Sequence, residues 1–392
     1  MGKELLAHGA ALGIYFCGYR LQSPFILTSG PLSYGAEGMI RAHQAGCGAA
    51  VTKTIRLQPA VNPPRHMGTV GRDSLINCEK WSDIDRLRWY EQEIPQAAAA
   101  GVTVIASVGH TPQEAQAIVE DVEKAGAQMI ELVSYTEETL VPMLDFAKAH
   151  VSIPVICKLS ANWPDTVASA QRCLEHGADG LCAIDSIGPT LKIDIRHARP
   201  EMESGDGYGW LTGEAIRPIA MRINAEIARS HPELRSLYAS GGCMRPEHAV
   251  EYLMAGAMGV GVCTAAILHG TAYIETLCRG LSELLLELGY RSVEEVYRAA
   301  LPNFPLKEAE GPADFSFTPF REDGSRLCIA CRQCEQVCCY DARVLAFPAM
   351  KLDAGRCRSC GLCADVCPTG ALQIIEKAGA SGSARKESGP GQ

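Results

Sequence analysis

The sequence predicts an α/β protein made of a (β/α)8 TIM barrel followed by a small, cysteine-rich α+β domain. Two observations carry that prediction. Over residues 25–262, eight short apolar, β-rich runs alternate with helix-length amphipathic segments, which is the count of a closed barrel, with a doubly wound sheet as the alternative. Beyond them, nine of the 18 cysteines crowd into residues 328–367. With 392 residues and 47% apolar content, the chain can bury one barrel-sized core and a small second one.

The eight runs are FILT (25–28), AAVTKT (49–54), VTVIASV (102–108), MIELV (129–133), PVICKL (154–159), GLCAID (180–185), LYAS (237–240) and GVGV (259–262). Between them lie helical stretches such as TPQEAQAIVEDVEKAG and RPEHAVEYLMAGA. The first of these opens with Thr111, Pro112 and Glu114, a capping box with proline at the first helical position. The barrel is expected over 1–306, a linker (KEAEGPADFSFTPFRED) over 307–323, the small domain over 324–376 and a disordered Gly/Ser-rich tail over 377–392.

Charge excludes some classes of function. Thirty-six basic residues stand against 45 acidic ones, a net charge of −9 with no block of like charges, so neither a nucleic-acid nor a membrane surface is indicated. The first 20 residues lack the basic, apolar and cleavage regions of a secretory signal, and Leu6 stands where a myristoylation motif needs Ser or Thr. The most apolar stretch, 253–268, is too short and too glycine-broken to span a bilayer. A cytoplasmic protein is expected.

Nine cysteines are scattered through residues 1–300, mostly in apolar runs, and read as buried thiols rather than a disulfide framework. The other nine follow a ligand pattern. Cys328, Cys331, Cys334 and Cys338 are spaced C-x2-C-x2-C-x3-C, and so are Cys357, Cys360, Cys363 and Cys367. In such tandem runs three close thiolates hold one iron–sulfur cubane and the fourth reaches across to the other. One [4Fe-4S] cluster is therefore expected on Cys328, Cys331, Cys334 and Cys367, and a second on Cys357, Cys360, Cys363 and Cys338. That makes the small domain ferredoxin-like. Zinc knuckles, which pair C-x2-C units across a longer gap, fit the triplets poorly. Cys339 stands where Pro368 follows the second run, so Cys338 and Cys339 compete as ligands; Ala342 and Ala371, each four residues past the x3 cysteine, favour Cys338.

In a (β/α)8 barrel the chemistry sits at the C-terminal ends of the strands. Those ends carry Thr28, Ser29 and Gly30; Lys53 and Thr54; Ser134; Lys158; Asp185 and Ser186; Gly241 and Gly242; and Cys263 and Thr264. Glycine-rich loops after the last two strands expose backbone N–H groups that cradle phosphate. Lys53 and Lys158 fit three roles: partner of a carboxylate, Schiff-base former, or fixed positive charge beside a cofactor. Iron–sulfur clusters carry single electrons and break no C–H bonds, so a barrel joined to them points to a flavin, which converts two-electron into one-electron chemistry.

The motifs FILTSGPLSY, VTKTIRLQPAVNPPR, KLSANWPD, GEAIRPIAMR and SGGCMRPEHAVEYLMAGAMGVGVCTA, with the cysteine runs, resemble the dihydropyrimidine dehydrogenase and dihydroorotate dehydrogenase family from about residue 12 to 375. The resemblance implies FMN on the barrel. Thr28, Ser29, Gly30 and Thr54 would contact it, with Lys53 beside the ring and Lys158 at its pyrimidine edge. Gly213, Gly241, Gly242, Cys263 and Thr264 would take the phosphate or ribityl chain. Asn62, Asn77 and Asn162, with Asp185 and Ser186, would face a small heterocyclic substrate.

Departures are equally informative. After strand four the family carries an asparagine and then an acid/base cysteine or serine, whereas this chain reads IELVSYTEETL, leaving Ser134 or Tyr135 for that role. After strand six, Asp185 replaces the family's asparagine. An ionised carboxylate only accepts hydrogen bonds, which favours a substrate with donors. His110 is either a neighbour of the helix cap or a pocket residue, and Trp163 either packs or stacks. No G-x-G-x-x-G follows a strand and opens a helix, so electrons are expected to leave through the clusters to an NAD(P)H- or FAD-dependent partner subunit or a ferredoxin. The resemblance leaves a homo-oligomer open.

The sequence thus points to an FMN and iron–sulfur oxidoreductase acting on a CH–CH bond beside a carbonyl or amide, with dihydrouracil- or dihydrothymine-type substrates first. A non-catalytic electron-transfer subunit, a dihydroorotate dehydrogenase-like enzyme with another substrate, and a Schiff-base lyase using Lys158 are the alternatives.

Overall fold

In a computed structural model of the chain, residues 9–308 and 311–375 are described. The tail at 377–392, expected to be disordered, lies outside them, as do the first eight residues of the stretch in which no secretory signal was read.

Eight parallel strands close into a barrel: β1 (Phe25–Leu27), β2 (Ala49–Val51), β3 (Val104–Gly109), β4 (Met129–Val133), β5 (Val155–Leu159), β6 (Gly180–Ala183), β7 (Leu237–Ala239) and β8 (Gly259–Val262). Each pairs with its neighbours in chain order, and β8 returns to β1 in the register Val260↔Phe25, Gly261↔Ile26 and Val262↔Leu27. Every residue of all eight strands is buried. That explains the unbroken apolar runs in the sequence, since strands covered on both faces have no solvent side to alternate with. Around them run α1 (Ala36–Gln44), α2 (Ile94–Ala99), α3 (Pro112–Lys124), α4 (Glu137–His150), α5 (Thr166–Glu175), α6 (Arg217–Ser230), α7 (Pro246–Met254) and α8 (Tyr273–Glu287).

Several strands end earlier than the apolar pattern suggests. β1 stops at Leu27, β2 at Val51 and β6 at Ala183, so Thr28, Lys53, Thr54 and Asp185 lie just past the ladder. These polar residues belong to the loops at the barrel's C-terminal mouth, where their side chains need not fit a close-packed interior.

The sequence reading missed an antiparallel sheet built from two excursions, after β2 and after β6. Its strands run in the order Ile187–Thr190, Gly209–Gly213, Ser74–Asn77 and Met67–Thr69. Trp210 pairs with Asn77 and Thr212 with Leu75. Strands this short, in glycine- and proline-broken sequence, leave too few alternations to see.

A second compact unit begins at Asn303. Part of the expected linker is structured there: Asp314–Phe317 is a strand paired antiparallel with Leu372–Ile375. The hairpin Arg343–Ala346 with Ala349–Leu352 and the four-residue helices Gln333–Gln336 and Leu362–Asp365 complete the unit. Its two small cores each contain cysteines: Cys328 with Leu345 and Ala371, and Cys334 and Cys363 with Leu372.

The loop after β1 is positioned by a close backbone approach. Gly38 is buried in α1, and a Cβ there would lie 1.9 Å from the Leu32 carbonyl oxygen. Alanine ordinarily favours a helix over glycine by roughly 0.5–1 kcal/mol. Here the sign should reverse: Gly38→Ala is expected to destabilise the barrel by about 1–3 kcal/mol through overpacking, read as a lowered Tm.

Candidate active site and cysteine cages

A cleft partly open to solvent occupies the C-terminal mouth of the barrel.

Lys158, near the end of β5, lies at 3.2 Å from Asp185 Oδ1 and 3.9 Å from Glu131 Oε1. Burial works against its charge, but the carboxyl groups of Asp185 and then Glu131 outweigh it and hold the ammonium above its ordinary range. Glu131 is fully enclosed, its carboxyl pushed up by burial, and it accepts a hydrogen bond from the Tyr238 hydroxyl. Lys158 therefore stays protonated, as the cationic half of an ion pair. An amine held protonated is a poor Schiff-base nucleophile, which argues against the lyase alternative. Lys53, also lining the cleft, is neutralised by Glu79, with Nζ at 2.5 Å from Oε2.

Thr28, Ser29, Gly30 and Thr54 line the same cleft. Ser29 Oγ lies 3.4 Å from Thr54 Oγ1, which lies 3.1 Å from Ser107 Oγ. Next to them, Gly213, Gly241, Gly242, Cys263 and Thr264 form a backbone-rich wall. Gly213 and Gly242 have φ of +87° and +77°, and a Cβ on Gly242 would stand 2.5 Å from the Gly213 carbonyl oxygen. Only glycine allows both that dihedral and that approach. The Thr264 and Thr212 hydroxyls meet at 3.1 Å beside this wall.

The loop after β4 separates the two residues offered for acid/base work. Ser134 Oγ donates to the His110 carbonyl at 3.1 Å, contacts Thr139 Oγ1 and accepts from the Thr136 N–H at 3.3 Å. Its hydroxyl is committed to the turn. Tyr135 instead stacks its ring on the His110 imidazole, with centroids 4.0 Å apart and planes 2° from parallel. Burial, then the Arg56 guanidinium, pushes the His110 pKa down to about 4, so the imidazole is neutral near pH 7. Its Nδ1 is enclosed with no hydrogen-bond partner. Glu114 does not close the capping box on the Thr111 N–H as expected. Its Oε2 accepts from the His110 N–H and its Oε1 from Arg56 Nε at 2.7 Å, which ties the loop after β3 to that after β2.

Asn77, Asn162, Asp185 and Ser186 line the cleft. Asn162 also staples loops, its Nδ2 donating to Ser160 Oγ and its Oδ1 accepting from the Gly188 N–H. Asn62 does not line the cleft; its Oδ1 caps the Lys80 N–H at 2.8 Å. Trp163 is buried and donates from Nε1 to the Tyr135 carbonyl, outside the lining. Among the lining residues that sequence reasoning passed over are Trp81, Trp210, Thr212 and Glu79. Trp210, between glycines in GYGWLTG, was the available signal.

All 18 cysteines are free. Cys328, Cys331, Cys334 and Cys367 line one hollow of about 320 Å3, and Cys338, Cys357, Cys360 and Cys363 line another of about 310 Å3. Cys339 is exposed and lines neither. Among the described residues no three His, Cys, Asp or Glu side chains close on a single-ion site. A cubane takes one thiolate per iron corner, so its four sulfurs need not converge on a point. No helix among the described residues is long and apolar enough to cross a membrane.

Comparison with known proteins gives two family matches: dihydroorotate dehydrogenase over residues 92–285 and a 4Fe-4S binding domain over 350–373. The catalytic subunit of dihydroorotate dehydrogenase B (NAD(+)) from Methanothermobacter thermautotrophicus is 31% identical, over 71% of this chain and 95% of its own. The NAD-dependent dihydropyrimidine dehydrogenase subunit PreA of Escherichia coli K12 is 27% identical over 93% and 95%. The chloroplastic dihydropyrimidine dehydrogenase (NADP(+)) of Arabidopsis thaliana is 26% identical over 75% and 78%.

Two outcomes are expected. Cys338→Ser should lose one cluster's share of bound iron on chemical analysis while Cys339→Ser keeps the full amount. For His110, a folded pKa of about 4 against the ordinary 6.5 means the unfolded chain binds the extra proton between those values, so stability should fall as pH drops from 6.5 toward 4. Tm measured across that window should show this slope in the parent and a shallower one in His110→Phe.

Proposed function

Because the chain belongs to the dihydroorotate dehydrogenase family, we propose that it is an FMN- and iron–sulfur-dependent oxidoreductase that oxidises or reduces a CH–CH bond beside a ring carbonyl or amide, with dihydropyrimidine-type substrates first. The observation that carries this reading is a lysine kept cationic in a barrel cleft that faces a glycine wall, on a chain that also bears two four-cysteine cages.

The residues present fit both cofactors. Backbone around Gly213, Gly241 and Gly242, with the Thr212 and Thr264 hydroxyls, suits a phosphate, and a Cβ on either Gly213 or Gly242 would collide with the neighbouring backbone that shapes this wall. The buried Nη2 of Arg343, a donor without a partner in the wall of the second cage, suits the sulfur acceptors of a cluster. Bound FMN would exchange electron pairs with a substrate C–H bond and single electrons with the clusters.

Lys158 supplies positive charge where negative charge accumulates, and its burial makes that charge count for more than it would in water. Asp185 accepts from ring N–H donors of the substrate, and Asn77 offers the complementary amide. The proton on the reacting carbon needs a carrier. Tyr135, in the cleft wall and held flat against His110, is placed for it, whereas Ser134 is engaged in its own turn. Electrons then pass from the clusters to an NAD(P)H/FAD-dependent subunit or a ferredoxin.

A second reading has one observation in its favour. If the commitment of Ser134 means that this loop has lost its acid/base group, the chain is an electron-transfer subunit that turns over no small molecule. Anaerobic titration of the purified protein with dihydrouracil, dihydrothymine and dihydroorotate distinguishes the two. Bleaching of the visible flavin band by one of them is expected; a flavin inert to all three yet reducible by a partner would establish the relay. On the active substrate, Lys158→Met should lower kcat about 10²- to 10³-fold, the loss typical of one removed electrostatic donor. Tyr135→Phe should fall well below Ser134→Ala.

A further inference from the structure

The two cages belong to an internal repeat in which positions 29 apart correspond: 328 with 357, and 338 with 367. By the same offset Arg343 corresponds to Leu372. Each is the first residue of the strand that follows its run, Arg343–Ala346 and Leu372–Ile375. Both are buried, at 4% and 1% exposure, and each lines one cage: Leu372 that of Cys328, Cys331, Cys334 and Cys367, and Arg343 the other. At this one position the repeat therefore places a hydrocarbon beside one cage and a cation beside its twin; Arg332, which also lines the first cage, is held by the Glu335 carboxylate, and Arg358 lines the second beside Arg343.

The Arg343 guanidinium donates from Nε to Cys363 Sγ at 3.0 Å and lies over the Phe315 ring, 4.2 Å from its centroid. No carboxylate among the described residues forms an ion pair with it, and its enclosed Nη2 has no partner. A buried cation without a counter-charge is costly. Four thiolates around a cluster are the anionic group within its reach.

We infer that Arg343 sets the cluster on Cys338, Cys357, Cys360 and Cys363 at a higher reduction potential than its twin, so that the first electron to enter the pair rests there. This rests on the two-cluster reading above. Reduction adds one electron, and one negative charge, to a cage that is already anionic. A fixed cation and an N–H···S bond both favour the more negative form, and net charge and hydrogen bonds to sulfur are among the factors that set cluster potentials. The Leu372 side chain offers its cage neither, and only its backbone N–H reaches Cys367.

The test is iron and sulfide analysis of the full chain, purified anaerobically, followed by dithionite titration at controlled potentials with EPR detection. Two clusters' worth of iron with two separate midpoints is expected in the parent. Arg343→Leu should lower the higher midpoint, changing the reduced-to-oxidised ratio at fixed potential at least tenfold, which is 59 mV for a one-electron couple, and leave the lower one in place. Arg343→Lys should fall between the two. Leu372→Arg should raise the lower midpoint, and it decides the matter if Arg343→Leu does not retain its clusters. Full iron with unmoved midpoints in these variants overturns the inference and spares the two-cluster reading. One cluster's iron in the parent overturns both.

Discussion

Closure of the barrel is the constraint on which the rest depends. β8 pairs with β1 in the same parallel sense as every other neighbouring pair, so no strand edge is left open and all eight strands end at one mouth. Residues as distant in sequence as Thr28 and Thr264 become walls of one cleft for that reason alone. Burial on both faces demands unbroken apolar strands, and that demand pushes every polar group with a chemical role into the loops just beyond the ladder.

Lys158 and Glu131 are the exceptions, charged-type side chains within the strands themselves. Their proximity, with Asp185 at the rim and the Tyr238 hydroxyl below, lets a buried ammonium persist where desolvation alone would neutralise it. A lysine held in its charged form is a poor covalent nucleophile. In the loop after β4, Ser134 closes a turn and Tyr135 lies on a neutral His110, so the two neighbours meet different surroundings.

The small unit obeys a different economy. With helices of four residues and cores of a few side chains, apolar burial is slight, and the cysteines themselves are core residues. Cluster binding and folding are coupled in such a unit, as for other domains that bury metal ligands. Its internal repeat makes the cages alike in sulfur and unlike in surroundings, with Arg343 and Leu372 as the buried pair that differs in charge.

The eight strand runs, the capping residues Thr111 and Pro112 and the two cysteine runs were legible in the sequence because each is a local pattern: burial writes apolar runs, and cluster ligation writes fixed spacings. The preference for Cys338 over Cys339 rested on the alanine four residues on, and Cys338 is the one that lines a cage. What only the tertiary structure decided are the long-range partnerships. The pairing of Lys53 with Glu79, the engagement of Ser134, the diversion of Glu114 to the His110 N–H and the sheet that brings Trp210 and Thr212 over the cleft all join residues with no periodic relation. The same holds for Asn62, whose motif pointed to the substrate while its amide caps the backbone of Lys80. A motif reports which residue types stand near a site, but hydrogen-bond commitment and charge compensation depend on neighbours that only the closed barrel brings together.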